Sequence, residues 1–135
     1  MNKKLKKALK WVGIPALVIG GYIGGMLGVN HIVRRTGERL ETLQEAQNYL
    51  EREKKRMGCD RKIEVRFSDR KITGAAKFTK QEKYIIILGT NCRRLNVLQH
   101  ELYHIHDDHV EDGKPGFFEY FFWCEPRAIW YSLWN

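Results

Sequence analysis

The sequence predicts an α+β domain preceded by one apolar helix, and three observations lead to this fold class. The chain runs from Trp11 to Val29, nineteen residues, without a charge. Between residues 63 and 88, apolar side chains alternate with polar ones or form short β-branched runs, as in strands. Segments with a helical period lie on both sides of these strands. The predicted order is therefore apolar helix, linker helix, three strands, motif helix and C-terminal helix.

The apolar run continues through Ile32 and Val33, so residues 11–33 are long enough to cross a hydrocarbon core as one helix. A basic tail, residues 1–10, precedes it. A cleaved signal peptide is the alternative, but its apolar region is normally shorter, and no A-x-A-like cleavage site follows here. We therefore predict a retained, single-pass membrane anchor.

Two features of this anchor concern its orientation and its partners. Five lysines precede the run and Arg34, Arg35 and Arg39 follow it, so the positive-inside rule favours a cytoplasmic N-terminus with the remaining domain outside. Glycines repeat in the small-xxx-small pattern of closely packed membrane helices, at Gly20, Gly24 and Gly28. This repeat is compatible with a homodimer, and equally with the general frequency of glycine in membrane helices.

The formal net charge of +8 is concentrated around the apolar run. Residues 1–39 hold eight Lys and Arg against one acidic residue, so 16 of the 24 basic and 15 of the 16 acidic residues remain for residues 40–135. A domain so nearly neutral lacks the basic surface that binds phosphate backbones. The sequence therefore predicts no nucleic-acid partner.

After the anchor, residues 38–57 have the period of an amphipathic helix, and Gly58 is its predicted stop. We assign residues 34–58 to a linker helix and residues 59–135 to a single small domain. The apolar stripe of the linker helix consists of Leu43, Ala46, Leu50 and Met57.

Three strands are predicted next. Ile63, Val65 and Phe67 alternate with polar residues, which is typical of a half-buried strand. A turn at residues 69–71 leads to a short second strand over residues 74–78. After a further turn, residues 84–88 form a continuous, mainly β-branched run that suits a central strand.

The pattern His100-Glu101-Leu102-Tyr103-His104 is the feature that points to chemistry. Two histidines four residues apart on a helix lie about 40° apart around its axis and about 6 Å apart along it, so both imidazoles can reach one metal ion. Glu101 lies beside them, where it can act on water at the metal without binding the metal itself.

The surrounding segment supports a helix at this motif. Residues 91–105 contain no Gly or Pro, and Thr90 or Asn91 can cap the helix. On a helical wheel the apolar residues lie opposite the two histidines, at Leu95, Leu98, Leu102 and Ile105. The pattern predicts one side for burial and one side for the metal.

A catalytic zinc site has three protein ligands and leaves its fourth position for water. Two further histidines follow the motif. His106 points about 200° away from His104 on the helical wheel, so we do not expect it to share the ion. His109 can reach the ion only if the helix ends near Asp107, and is otherwise a loop residue or one that holds another ligand in place.

Further along the chain, the stretch Glu125-Pro126-Arg127-Ala128 resembles the glutamate helix of gluzincins, in which a ligand glutamate precedes a small alanine by three residues. Together with the HELxH pattern, residues 60–135 look like a minimal zincin metalloprotease of the kind called minigluzincins. Membrane-bound CAAX-type proteases share the HELxH–ExxA arrangement.

The chain departs from related patterns at four positions. Asp107 and Val110 stand where metzincins have a glycine and a histidine, which excludes that subclass. Ile129 stands where gluzincins often have an acidic or amide residue. Pro126 would break a continuous helix, so Glu125 is expected at the cap of a bent glutamate segment.

The resemblance implies a peptidase that holds one Zn²⁺ through His100, His104 and Glu125, with Glu119 as the fallback ligand. It also implies that Glu101 takes a proton from water and delivers it to the leaving amine. An edge strand before the motif helix would hold the substrate backbone by strand addition, unless it is an ordinary strand of the sheet. The residues at that position are Gly74, Ala75, Ala76, Lys77 and Phe78.

Smaller expectations concern the remaining aromatic and sulfur side chains. Tyr131 or Tyr103 is a candidate donor to an oxyanion, and otherwise a packing residue. The aromatic residues between 117 and 134 are expected to fill the core, with a membrane-interface belt as the alternative. The three cysteines fit no disulfide framework and are expected to be buried, at Cys59, Cys92 and Cys124.

The predicted substrate is an extended peptide or a membrane-proximal protein segment, because a small sheet leaves only a shallow cleft. One alternative is a membrane-tethered interaction protein whose zinc site is structural or catalytically silent. Another is a zinc amidase such as a deformylase, but deformylases have a cysteine ligand well upstream of the motif. Cys92 lies only eight residues before His100 and does not match.

Overall fold

Four helices and a small mixed sheet make up the part of the chain that the computed structural model describes, residues 14–71, 74–79, 83–108 and 119–134. The predicted α+β class is confirmed. The elements are α1 (Ile14–Arg35), α2 (Leu43–Met57), β1 (Ile63–Ser68), β2 (Ala75–Phe78), β3 (Tyr84–Gly89), α3 (Leu95–His106) and α4 (Glu125–Trp134). A π-helical turn, Tyr120–Cys124, leads directly into α4.

The sheet has the strand order β1-β3-β2, so the β-branched segment predicted as the central strand is central. β1 runs parallel to β3, with Val65 opposite Ile86. β2 runs antiparallel to β3, with Ala76 opposite the same Ile86. β2 is therefore an edge strand, since no described strand lies beyond it.

The core lies between the sheet and the two helices α2 and α3. Alternate residues of β1 and β3 point into it, among them Val65 and Ile86. The stripe predicted on the motif helix is present, because Leu98, Leu102 and Ile105 are fully buried. The stripe predicted on α2 is narrower than expected. Its buried residues are Ala46, Leu50 and Glu53, whereas Leu43 is exposed.

The linker helix is shorter than the predicted residues 34–58, because it begins at Leu43. Thr42 caps it with a complete capping box, in which its hydroxyl accepts from the Glu45 amide and the Glu45 carboxylate accepts from the Thr42 amide. The chain before it is extended, since the Leu40 amide donates to the Arg93 carbonyl at 2.8 Å. Backbone pairing and a strong cap therefore override the helical period of residues 38–42. Gly58 ends the helix in the left-handed conformation, as predicted.

The motif helix also begins later than predicted, at Leu95 rather than near Asn91. Its N-cap residue is Arg94, whose side chain makes no capping hydrogen bond. Residues 89–92 form a turn closed by the Cys92 amide and the Gly89 carbonyl at 2.9 Å. The first helical amide, that of Leu95, donates to the Glu38 carbonyl at 3.0 Å. The linker backbone supplies the partner that a side-chain cap would otherwise provide.

Helix α1 contains the predicted apolar span. Its window Ala16–Val33 is long and apolar enough to cross a membrane by length and composition, and only 6 % of that window is buried. Residues 11–13 of the predicted anchor lie outside the described residues. Leu17 and Val18 are mostly exposed, whereas Val33 near the other end is fully buried. The C-terminal end of α1 therefore packs on the domain, whereas the exposed residues before Tyr22 project away from it.

Candidate metal centre

The two motif histidines lie on successive turns of α3 and face one another. Both are buried, with exposed fractions of 1 % for His100 and 7 % for His104. Their Nε2 atoms are 3.1 Å apart, and the two rings meet edge to face with an interplanar angle of 82°. The four-residue spacing thus brings two nitrogen donors together inside the domain, as the sequence predicts.

Glu125 completes this group from the other side. It is the first residue of α4, and its carboxylate oxygens lie 3.5 Å from His100 Nε2 and 3.5 Å from His104 Nε2. Pro126 is the second residue of α4, which continues without a break from the π-helical turn, so Glu125 does not stand at the free helix start expected from the sequence. The π-helical turn interrupts the α-helical hydrogen-bond pattern directly before the proline, which has no amide to donate.

Contacts between α3 and α4 hold the two halves of the group at this separation. Arg127 Nη1 lies 2.9 Å from a carboxylate oxygen of Asp107, the residue that ends α3. Ala128, one turn after Glu125, is fully buried, so the two helices can approach closely. The small residue at the third position after the glutamate therefore has a packing function.

The donor atoms of His100, His104 and Glu125 fit one metal ion. They all lie within 4.8 Å of one another, and all three residues are buried. Tetrahedral bonds of 2.0–2.1 Å to zinc require donor atoms about 3.3 Å apart, close to the observed 3.1 and 3.5 Å. Two imidazoles and one carboxylate form a buried group that can hold a metal ion.

Glu101 is buried beside the histidines and contacts β2. Its carboxylate accepts a hydrogen bond from the Ala76 amide at 3.0 Å. The Thr79 amide bonds the Lys83 carbonyl, and bonded pairs alternate along an antiparallel ladder, so Ala76 directs its amide away from β3. Glu101 therefore lies against the outer edge of the strand predicted to hold a substrate.

Gly74 lets the edge strand approach the motif helix closely. A Cβ atom at this position would lie 2.5 Å from Val97 Cγ1 and 3.0 Å from the Glu101 carboxylate. Both neighbours are buried and have little room to move. Along β2 itself, Ala75 and Ala76 are half-buried, whereas Lys77 and Phe78 are exposed. Substrate binding at this edge stays a prediction.

Sequence analysis missed one residue of this site, Asn30. Its side-chain amide donates to the Glu125 carboxylate at 3.0 Å, across 95 residues of sequence. A hydrogen bond of this kind fixes the orientation of a ligand carboxylate. The sequence did contain a signal for this contact, the side-chain amide of Asn30, because a polar side chain within an apolar span usually has a specific partner.

The other residues predicted for the site are not part of the metal-binding group among the described residues. The Tyr131 hydroxyl accepts a hydrogen bond from Arg56 Nη2 at 2.7 Å, and its ring packs against Tyr103. Burial raises the pKa of the Tyr131 hydroxyl, which keeps it neutral. Its part in oxyanion binding stays a prediction. Glu119 is exposed and is not part of the metal-binding group, and His109 lies outside the described residues.

All three cysteines are buried and unpaired with one another. Cys124 adjoins Glu125, and burial raises the pKa of its thiol. The metal-binding group among the described residues contains no cysteine.

Comparison with known proteins gives no relative for this chain. No family model, no curated protein and no solved structure matches it. The interpretation of the site therefore depends on its own geometry.

Proposed function

We propose that this chain is a membrane-anchored zinc metallopeptidase of minimal gluzincin type. The observation that carries the proposal is the buried group of His100, His104 and Glu125, with Glu101 next to it on the same helix. Two nitrogen donors and one carboxylate are the ligand set of several catalytic zinc sites, which leave the fourth position open.

The chain's own residues have distinct functions in this proposal. Zinc held by His100, His104 and Glu125 would supply a Lewis acid and a water of lowered pKa. Glu101 accepts a proton from the attacking water and transfers it to the leaving amine. The Ala76 amide orients the Glu101 carboxylate, and Asn30 orients Glu125.

The proposed substrate is an extended peptide segment close to a membrane. β2 is an edge strand, and such an edge can hold a peptide backbone by adding it as a further strand. Helix α1 leaves most of its apolar surface exposed, and its end packs on the domain that contains the metal-binding group. An anchored domain of this kind acts on segments near the membrane surface.

The test compares peptide cleavage by the full chain and its Glu101→Gln variant, purified in a neutral detergent. We expect the variant to bind zinc as the parent does and to lose about 10²–10⁴-fold in kcat, because only the proton transfer is removed. Glu119→Gln is the matched control, since it removes an exposed carboxylate outside the metal-binding group. Equal cleavage by Glu101→Gln and the parent would contradict the proposal.

The competing function is a membrane-tethered interaction protein with a silent zinc site. One observation favours it, namely that the Glu101 carboxylate already has a protein partner in the Ala76 amide. This function predicts tight, stoichiometric zinc and no turnover by the parent. Zinc content and cleavage measured on the same preparation distinguish the two functions.

A further inference from the structure

Four arginines surround a concave surface at the end of α1, and none of its lining residues belongs to the metal-binding group. The cavity has a volume of about 390 Å³, which lies within the range of about 300–1,000 Å³ for small-molecule sites. We call it the arginine pocket. Its lining residues are Arg35, Arg39, Thr90, Asn91, Arg93 and Arg94.

Backbone pairing builds this pocket from two distant segments. Arg39 and Arg94 form an isolated antiparallel bridge, so their side chains start from directly opposed positions. The bridge is flanked by hydrogen bonds of Leu40 to Arg93 and of Leu95 to Glu38, at 2.8 and 3.0 Å. Gly37 makes the preceding turn with a φ of +87°, a conformation that favours glycine.

Two of the four arginines of the pocket have no carboxylate partner among the described residues. Like charges at directly opposed positions repel one another, as Arg39 and Arg94 do here. Glu41 pairs with Arg39, and Asp69 lies 3.6 Å from Arg93, but both acidic residues are exposed and neither lines the pocket. Arg35 and Arg94 make no ion pair with any described carboxylate. A bound anion would relieve this repulsion.

The location of the pocket indicates where the anion comes from. Arg35 is the last residue of α1 and lies two residues beyond the apolar window that ends at Val33, which is about 3 Å along the helix. Phosphate groups of lipids lie just outside the hydrocarbon core that such a window spans. Basic clusters at this level bind anionic headgroups.

We propose that the arginine pocket binds the phosphate group of an anionic phospholipid. A phosphodiester and free phosphate share the chemistry that guanidinium groups recognise, but the end of an apolar helix favours the lipid. The bound headgroup would bridge α1 to the start of α3 and so fix the domain at the membrane surface. This proposal does not depend on the metal-binding group or on peptidase activity.

The experiment measures thermal unfolding of the full chain in dodecylmaltoside, a neutral detergent. Dioctanoyl phosphatidylglycerol, dioctanoyl phosphatidylcholine and inorganic phosphate are titrated separately. The test variant is Arg35→Gln with Arg39→Gln, two exposed residues of the pocket. The control is Arg52→Gln with Lys55→Gln, which removes the same charge from exposed positions of α2 outside the pocket.

We expect phosphatidylglycerol to raise the unfolding midpoint of the parent and the control by several degrees, with saturation. The test variant should lose most of this rise. The same rise in the test variant as in the parent would overturn the proposal. A full rise with phosphatidylcholine would also overturn it, because the headgroup charge would then be irrelevant. A full rise with inorganic phosphate alone would overturn the assignment to a lipid.

Discussion

The two ends of helix α1 belong to the same apolar span but have opposite environments. In the N-terminal part, Leu17 is 77 % exposed, and no side chain of the described residues lies within 4 Å of a Cβ built at Gly20 or Gly24. In the C-terminal part, Val33 is fully buried and Asn30 donates a hydrogen bond to the Glu125 carboxylate of the candidate metal centre. One helix thus exposes its apolar surface at one end and contacts the candidate metal centre at the other.

This difference teaches that the apolar helix and the domain are not independent structural units. Tyr22, midway along α1, stacks on Phe122 of the π-helical turn with the rings 4.7 Å apart. That turn leads directly to Glu125. Helix α1 therefore helps to position Glu125 in two ways, through the contact of Tyr22 with Phe122 and through the hydrogen bond from Asn30. Four predictions test this comparison.

The largest effect is expected from Glu125→Gln. This variant replaces the carboxylate that Asn30 bonds and that directly follows the π-helical turn packed against Tyr22. Replacing a residue that only orients a metal ligand lowers metal affinity by up to about 100-fold. Loss of the charged ligand itself should lower zinc affinity by more than this. Competition with a chromogenic chelator measures this affinity. Glu119→Gln should leave it unchanged, and an unchanged affinity for Glu125→Gln would remove Glu125 from the site.

Asn30→Leu tests whether the C-terminal part of α1 supports the metal. Leucine keeps a similar volume and suits an apolar helix, but it cannot donate to Glu125. Zinc affinity should fall about 10–100-fold, as for other residues that orient metal ligands. His31→Leu is the matched control, because His31 is the next residue and is exposed. If both variants bound zinc equally, α1 would be an anchor only.

Val33→Ala compares burial at the two ends of the helix. Val33 is fully buried, so loss of two carbons should lower the free energy of unfolding by about 1–3 kcal/mol. Val18→Ala, at a position 65 % exposed, should have a much smaller effect in detergent. Chemical denaturation of the two variants measures the difference. Equal losses would mean that the C-terminal part of α1 is not packed on the domain.

The smallest effect is expected from Gly24→Ala, since the added methyl group meets no side chain within 4 Å in the described part of the chain. Zinc affinity should be unchanged, and the helix should gain about 0.5–1 kcal/mol because alanine is the better helix former. Cross-linking of the same variant tests the predicted homodimer. A clear fall in the cross-linked fraction would show that the glycine face, free in the single chain, is a contact between chains.

Much of the metal-binding group follows from local sequence. The spacing of His100 and His104 places both rings on one helical face whatever the rest of the chain does. The spacing of three residues between Glu125 and Ala128 likewise places both on the same side of a helix. The predicted starts of two helices were too early, at Leu43 and at Leu95, because the residues before them pair with backbone groups of other segments.

The sequence by itself therefore determined the element order, the central strand and the two histidines, because these depend on periods within about twenty residues. Only the tertiary structure placed Asn30 on Glu125 and the Ala76 amide on Glu101. It also brought Arg39 opposite Arg94. These contacts join residues that are 25 to 95 positions apart. Such pairs are fixed by how the elements pack, and no periodic pattern in one segment contains that information.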